Sequence, residues 1–328
     1  MLQSKEKLLN TTNLLAFSAG GDSTALLFLL LKHNIKFDIA IVDYELREQS
    51  KKEVAYAYEL ADKYNFKCHL LKASKISSNF EANARKIRYN FFENLIERYK
   101  YTNLLTAHHL GDRFEWMLMQ FCKGAGCPEL TGIKMIELRN NYTLIRPLLH
   151  LQKSELLAYL NANNIQYFED ESNHDKRYKR NEFRLNYSNP LLNKYAEGIK
   201  KSFDYLDEDI NIFINESKIK QINSFAYIEP SSNQRSDIFT IDKYLKSQGH
   251  IITANERKLL QESNVTVVGR KFVIVQTSIY IFITPYLKAT DMNKEFKEKM
   301  RLLKISPKLR AYLFTDTEAV AFISLLLK

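Results

Sequence analysis

At 328 residues and 45% hydrophobic, the chain is long enough for two domains and a sizeable core. Its formal net charge of +10 suits a polyanionic partner, although abundant Lys, Asn, Ile and Tyr point equally to a compositional bias. Three cysteines with no Cys-x-x-Cys pair argue against a disulfide framework and for a reducing cytosol, no signal-peptide pattern is present, and the longest apolar run, 25–31, is far too short to span a bilayer.

In chain order, residues 14–17 read as a buried strand, 18–23 as a tight small-residue turn, and 24–32 as the helix after it. Residues 37–42 form a second predicted strand. A helix over 50–64 follows, with Val54, Tyr58 and Ala61 at helical spacing. Then come a third strand over 67–71, a long charged helix over 79–99, a fourth strand over 103–107 and a helix over 112–122. Strands and helices alternating in this way predict an α/β fold with a doubly wound parallel sheet. Ligands in such folds bind beyond the carboxyl ends of the strands. The turn at Ser18 and the segments after Val42 and Ala107 all fall on that edge. Further on, 142–148 is a candidate strand, 152–161 a helix, and 190–218 a helical stretch of alternating charge that joins two domains. Beyond it, 271–275 and 279–284 are adjacent β-rich runs and a candidate hairpin. A charged helix over 295–303 is followed by a break at Pro307.

The turn Ser18-Ala19-Gly20-Gly21-Asp22-Ser23 carries the clearest chemistry. Backbone N–H groups at a helix N-terminus stabilise an anion, and glycines let the backbone approach it. Asp22 would repel a phosphate unless a divalent cation lay between them, and Mg²⁺ favours carboxylate plus phosphate oxygens. No Gly-Lys-Ser/Thr closes the loop, so it is not a Walker A motif. Asp43, ending the second strand, suits a nucleotide ribose or base, and equally a helix cap. Glu81, Arg85 and Arg88 share a helical face, either a salt-bridge ladder or a cationic wall beside a phosphate site. After the fourth strand, His108-His109-Leu110-Gly111-Asp112-Arg113-Phe114-Glu115 places two acids three apart behind two histidines. This group could bind a metal, orient an amine, or simply favour the helix dipole. An acidic turn at 169–175 runs into Arg177, Arg180 and Arg184, a charged surface loop or a lid that meets nucleic-acid phosphate.

The loop resembles the Ser-Gly-Gly-x-Asp-Ser turn of the PP-loop ATP pyrophosphatases, with Ala19 in place of the first glycine. The ordered set 17–24, 43–50, 79–89, 106–115 with Gly124-Ala125-Gly126, Arg146-Pro147-Leu148 and 169–184 resembles the tRNA(Ile)-lysidine synthetase family more specifically. Tyr44 replaces a usual histidine and Gly111 a usual acid. The resemblance implies an adenine nucleotide alpha hydrolase-like PP-loop catalytic domain over 1–190. It also implies a helical connector over 191–218 and a small α+β tRNA-contacting domain over 219–328. The implied reaction ligates free lysine to C2 of the wobble cytidine of a CAU-anticodon isoleucine tRNA, through an adenylated base, in the cytoplasm. By the same resemblance Ser18, Ala19, Gly20, Gly21, Asp22, Ser23 and Asp43 bind ATP, with Asp22 also on Mg²⁺. Asp22, His108, Asp112 and Glu115 are the implied catalytic residues, the last two holding lysine, and His108 or His109 lies against the ATP phosphates or the base. Arg85, Arg88, Arg177, Arg180 and Arg184 are expected at phosphates of ATP or tRNA. No tightly bound cofactor and no membrane partner are expected, and a homodimer is a candidate assembly. The competing readings are a PP-loop tRNA thiolase, a small-molecule amide ligase and a non-catalytic nucleotide- or RNA-binding module.

Overall fold

Short strands that are apolar on both faces build the first sheet. Leu14, Leu15, Leu104, Leu105, Leu144 and Ile145 are all buried, as parallel strands covered by helices on both sides require. A computed structural model describes residues 2–45, 48–74, 76, 78–139, 141–169, 179–214, 217–288 and 291–327. It divides into two units, Met1–Asp207 and Glu208–Lys328.

The first unit runs β1 (Asn13–Ala16), α1 (Gly21–Lys32), β2 (Asp38–Asp43), α2 (Glu48–Tyr64), β3 (Cys68–Lys72), α3 (Phe80–Tyr99), β4 (Asn103–Leu105), α4 (Leu110–Phe121), α5 (Cys127–Leu130), β5 (Ile136–Leu138), β6 (Thr143–Ile145), α6 (Lys153–Ala162) and α7 (Lys179–Phe183). A π-helical turn, Arg184–Ser188, then leads into α8 (Asn189–Phe213), which carries a kink at Tyr195. The sheet order is β3-β2-β1-β4-β6-β5. All its pairs are parallel except β5 with β6. Alternate residues face opposite helical layers. Leu15, Ile39, Leu105 and Ile145 pack with α1, α2 and α6 residues, whereas Leu14, Ala40, Leu104 and Leu144 meet Phe92, Leu95 and Ile96 of α3. Burial of α1 is nearly complete, and each of its enclosed leucines contributes about 1.5–3 kcal/mol of hydrophobic stabilisation.

The strand order reverses between β1 and β4: β2 and β3 lie to one side of β1, β4 and β6 to the other. That switch point opens a crevice at the carboxyl ends of β1 and β4, where such folds bind ligands. The α/β expectation therefore holds, with differences at element ends. The helix predicted from Asp112 begins at Leu110, because His109 caps it. The strand predicted over 142–148 shrinks to β6, and its antiparallel neighbour β5 is additional.

The boundary between the units falls inside α8, whose Leu192, Ala196 and Phe203 pack on Leu110 and Phe114 of the first unit. The stretch predicted over 190–218 is helical over Asn189–Phe213.

In the second unit β7 (Lys220–Ile222), β8 (Phe225–Ile228), β9 (Val265–Val268), β10 (Phe272–Gln276) and β11 (Ile281–Pro285) form an antiparallel sheet of order β7-β8-β11-β10-β9. The hairpin expected near 271–284 is the β10–β11 pair. Helices α9 (Gln234–Ser247) and α10 (Ala254–Glu262) cover one face through Ile238, Ile241 and Leu260. Helices α11 (Lys294–Leu302), α12 (Pro307–Thr315) and α13 (Thr317–Leu326) cover the other through Met300, Leu309 and Ile323. Pro307 does more than end a helix: it starts α12 at the position where a missing N–H costs nothing. Among the described residues no helix is long and apolar enough to cross a membrane.

Candidate active site

The turn after β1 is held by its own hydroxyls. Ser23 Oγ accepts from the Ser18 N–H at 3.2 Å, donates to the Gly20 carbonyl at 3.1 Å and lies 3.1 Å from Ser18 Oγ. Ala19 sits at φ 56°, a left-handed conformation that costs a residue with a side chain roughly 1–2 kcal/mol. This is the position at which the loop sequence departs from its expected glycine. The Phe168 N–H donates to the Ala19 carbonyl at 3.0 Å and so helps to hold the strained turn in place.

Asp22 follows on the first turn of α1. Its Oδ1 is buried and has no hydrogen-bond partner among the described residues. Its Oδ2 faces His109 Nε2 at 3.8 Å. An unsatisfied carboxylate oxygen beside a helix N-terminus fits a cation shared with a ligand phosphate. No group of three or more potential metal ligands occurs among the described residues.

A cavity of about 270 Å³ opens at the switch point. Ser18, Asp22, Ser23, Arg85, Arg88, His108 and Asp112 all line it. Asp43 does not; its Oδ1 instead accepts the Glu45 N–H at 2.8 Å, while its neighbours Val42 and Tyr44 form the wall. The sequence reading missed Phe17, Tyr44, Tyr89, Phe92 and Thr106, which also line the cavity. All but Phe92 fall inside the stretches that carry the family resemblance, and Phe92 had only its position on the α3 face as a signal. Tyr44 ties the end of β2 to α3, donating to the Ala84 carbonyl at 3.0 Å and meeting the Phe80 ring edge-on.

Thr106 Oγ1 lies 2.9 Å from His108 Nδ1 and fixes the ring at the cavity wall. Burial pushes the His108 imidazolium down to about 4; Asp112 opposes that shift, and Arg146, Arg180 and Arg85 reinforce it. His108 is therefore neutral at pH 7. Because its folded value lies below the ordinary 6.5, the unfolded chain takes up this proton first as pH falls. Stability from this group is complete above pH 6.5 and is lost towards pH 4, by up to about 3 kcal/mol. Thermal melts at several pH values are expected to show His108→Gln losing less stability than the parent across that window. Parallel curves would refute the assignment.

The two acids of α4 are not free. Asp112 Oδ2 accepts the His109 N–H at 3.0 Å, closing a capping box at the helix start. Its Oδ1 accepts from Arg180 Nη2 at 3.0 Å and lies 3.4 Å from Arg184 Nη2. Glu115, only 1% exposed, accepts from Arg180 Nε and, at 2.8 Å, from Arg184 Nε. Burial alone would raise the Asp112 carboxyl, but His109, His108 and Arg180 together hold it well below the usual carboxylate range. Arg113, between the acids in sequence, turns away. It donates to the Thr131 carbonyl at 3.0 Å and to Asp207 at 2.6 Å, with its guanidinium 4.2 Å from the Phe203 ring centroid, anchoring α4 against α8. Arg177 lies outside the described residues.

A family model described as the PP-loop domain matches residues 2–191. Over nearly the whole chain, the tRNA(Ile)-lysidine synthase of Wolinella succinogenes is 42% identical, covering 95% of this chain and 96% of its own length. That of Helicobacter pylori strain 26695 is 39% identical over 95% of this chain and 92% of its own length. The chain belongs to the tRNA(Ile)-lysidine synthase family. It is accordingly an enzyme, a ligase. Among solved structures, the U34-tRNA thiolase of Methanococcus maripaludis shares the fold, at TM-score 0.52 and 16% identity, covering 64% of this chain and 78% of that one. Among the described residues no cysteine lines the cavity described above. Gly111 lies against the His109 ring. A Cβ at Gly111 would lie 2.7 Å from His109 Cε1.

Proposed function

We propose that the chain joins the ε-amine of free lysine to C2 of the wobble cytidine in an isoleucine tRNA with a CAU anticodon. The C2 oxygen attacks the α-phosphorus of ATP, the bond to the β-phosphate side breaks and pyrophosphate leaves. The lysine amine then adds at C2, and AMP departs carrying the former C2 oxygen. An ammonium cannot attack, so lysine must lose a proton first.

The observation that carries this reading is one cavity that joins the loop hydroxyls and Asp22 with His108 and Asp112, in a chain related to lysidine synthases over 95% of its length. Ser18, Ser23 and the α1 N-terminus hold the phosphates, and Asp22 would hold Mg²⁺ against them, which supplies charge neutralisation there. Arg85 and Arg88, on the facing wall, meet phosphate oxygens of ATP or tRNA. Neutral His108 stands beside the reacting base as a hydrogen-bonding group. Asp112 and Glu115 take the lysine ammonium, and one of them accepts its proton.

A lysine ammonium and two guanidiniums cannot all occupy the same carboxylate oxygens. Amine binding at Asp112 and Glu115 therefore goes together with Arg180 and Arg184 turning to phosphate. The second unit contributes further contacts to the tRNA, and the reaction takes place in the cytoplasm, where the substrates meet.

The test incubates the protein with Mg-ATP, radiolabelled lysine and transcribed isoleucine tRNA bearing CAU, with methionine tRNA as the control. Label entering only the isoleucine tRNA is the expected result. Pyrophosphate release without label would leave an adenylating enzyme with another nucleophile, sulfur first. ATP turnover that needs no RNA would point to a small-molecule ligase.

A further inference from the structure

The proposed reaction assigns no step to His109, yet this side chain is buried where the two half-sites meet. The Gly111 N–H donates to His109 Nδ1 at 3.0 Å. A nitrogen that accepts a hydrogen bond carries no proton, so the neutral ring bears its hydrogen on Nε2. That Nε2 lies 3.8 Å from Oδ2 of Asp22 and 3.6 Å from Oδ2 of Asp112, between the phosphate-loop acid and the amine-pocket acid and hydrogen-bonded to neither. The ring cannot leave this position easily: Gly111 grips one side and the His109 N–H is itself committed to Asp112. The absence of a side chain at Gly111 is what lets the ring lie there, since a Cβ would come within 2.7 Å of Cε1 and 3.0 Å of Nδ1.

Resting on the lysidine-forming reading for the identity of the ligands, we propose that His109 is a positioning residue that couples the nucleotide half-site to the lysine half-site. One N–H stands between two carboxylates, within hydrogen-bond distance of neither. When the phosphate side engages Asp22, that acid no longer competes for the hydrogen. The donor then turns to Asp112 and fixes its carboxylate for the incoming amine. Nucleotide binding therefore tightens lysine binding, and by linkage lysine tightens nucleotide binding by the same factor.

Two variants separate this role from that of a mere helix cap. His109→Asn keeps a good N-cap acceptor for the Gly111 N–H but is too short to stand between the acids. Gly111→Ala keeps the imidazole and pushes it aside. Calorimetric titration of L-lysine would be run with and without saturating Mg²⁺ and a non-hydrolysable α,β-methylene ATP, on the full chain. The parent is expected to bind lysine on the order of tenfold more tightly with the nucleotide analogue. Both variants, folded by thermal melt, are expected to bind each ligand alone with that factor reduced to near one. A parent with no coupling, or variants that keep it, would overturn the proposal. A parent that binds the nucleotide but no lysine would instead remove the lysidine reading on which it rests.

Discussion

Glu115→Gln is expected to reduce lysine incorporation at subsaturating lysine by about 10- to 100-fold while ATP-dependent pyrophosphate release with tRNA persists. Glu115 is enclosed to 1% exposure, and both of its oxygens hold guanidinium donors. An amide there offers one acceptor where two are needed and turns N–H groups towards an arginine. An incoming ammonium then meets a single anionic acid, Asp112, instead of two. Hydrogen bonds to charged groups are worth about 1.5–3 kcal/mol each, so lysine half-saturation should rise about 10- to 100-fold. The cost to stability is smaller, because Arg180 and Arg184 are 40% and 23% exposed at their side chains and can turn to water. The discriminating measurement is lysine half-saturation beside pyrophosphate release on the same preparation. An unchanged half-saturation would mean that Glu115 positions Arg180 and Arg184 and never meets the amine.

Where the sequence was legible, a short-range rule was at work. The glycine-rich turn between an apolar strand and an apolar helix could be read directly, and Ser18, Asp22 and Ser23 do line the cavity. The spacing of Asp112 and Glu115 placed them on one face of α4, and the same two arginines bridge both. That bridge was not legible, because Arg180 lies 65 residues beyond Glu115 and a basic run reads as a phosphate surface whenever its partners are remote. Asp43 illustrates the same limit on a smaller scale. Its place at a strand end suited a nucleotide or a cap, but its carboxylate serves a turn two residues on, where Glu45 takes φ 51°. Of the second sheet, the β10–β11 hairpin was legible, but β8 escaped for a different reason. Phe225-Ala226-Tyr227-Ile228 is buried at every position because helices cover both faces, so it shows no alternation to mark it as a strand. Gly111 could be seen only as a missing acid; that its empty Cβ position admits His109 is a statement about three-dimensional space.

Asp22→Asn is expected to reduce ATP-dependent pyrophosphate release by about 10²- to 10³-fold, the range typical of removing one preorganised charge-stabilising group. The substitution preserves volume and one acceptor oxygen, so it tests charge and not shape. In the folded protein Asp22 Oδ1 has no hydrogen-bond partner among the described residues, and Oδ2 has His109 only at 3.8 Å. A carboxylate so placed gains only about 0.3–1 kcal/mol from the α1 N-terminus, less than the about 1–3 kcal/mol that its buried, unsatisfied oxygen costs. Neutralising it should therefore hold or raise the thermal midpoint while activity collapses. That opposite movement is what separates a residue kept for ligand chemistry from one kept for folding. Lysine titrated alone should bind Asp22→Asn at least as tightly as the parent, because the amine-pocket acids keep their own partners and a neutral amide competes less for the His109 N–H. The paired measurement is pyrophosphate release and thermal midpoint on one preparation. A variant that loses stability in step with activity would show Asp22 to be a structural residue of the loop, and the cation would then have to be sought at another oxygen.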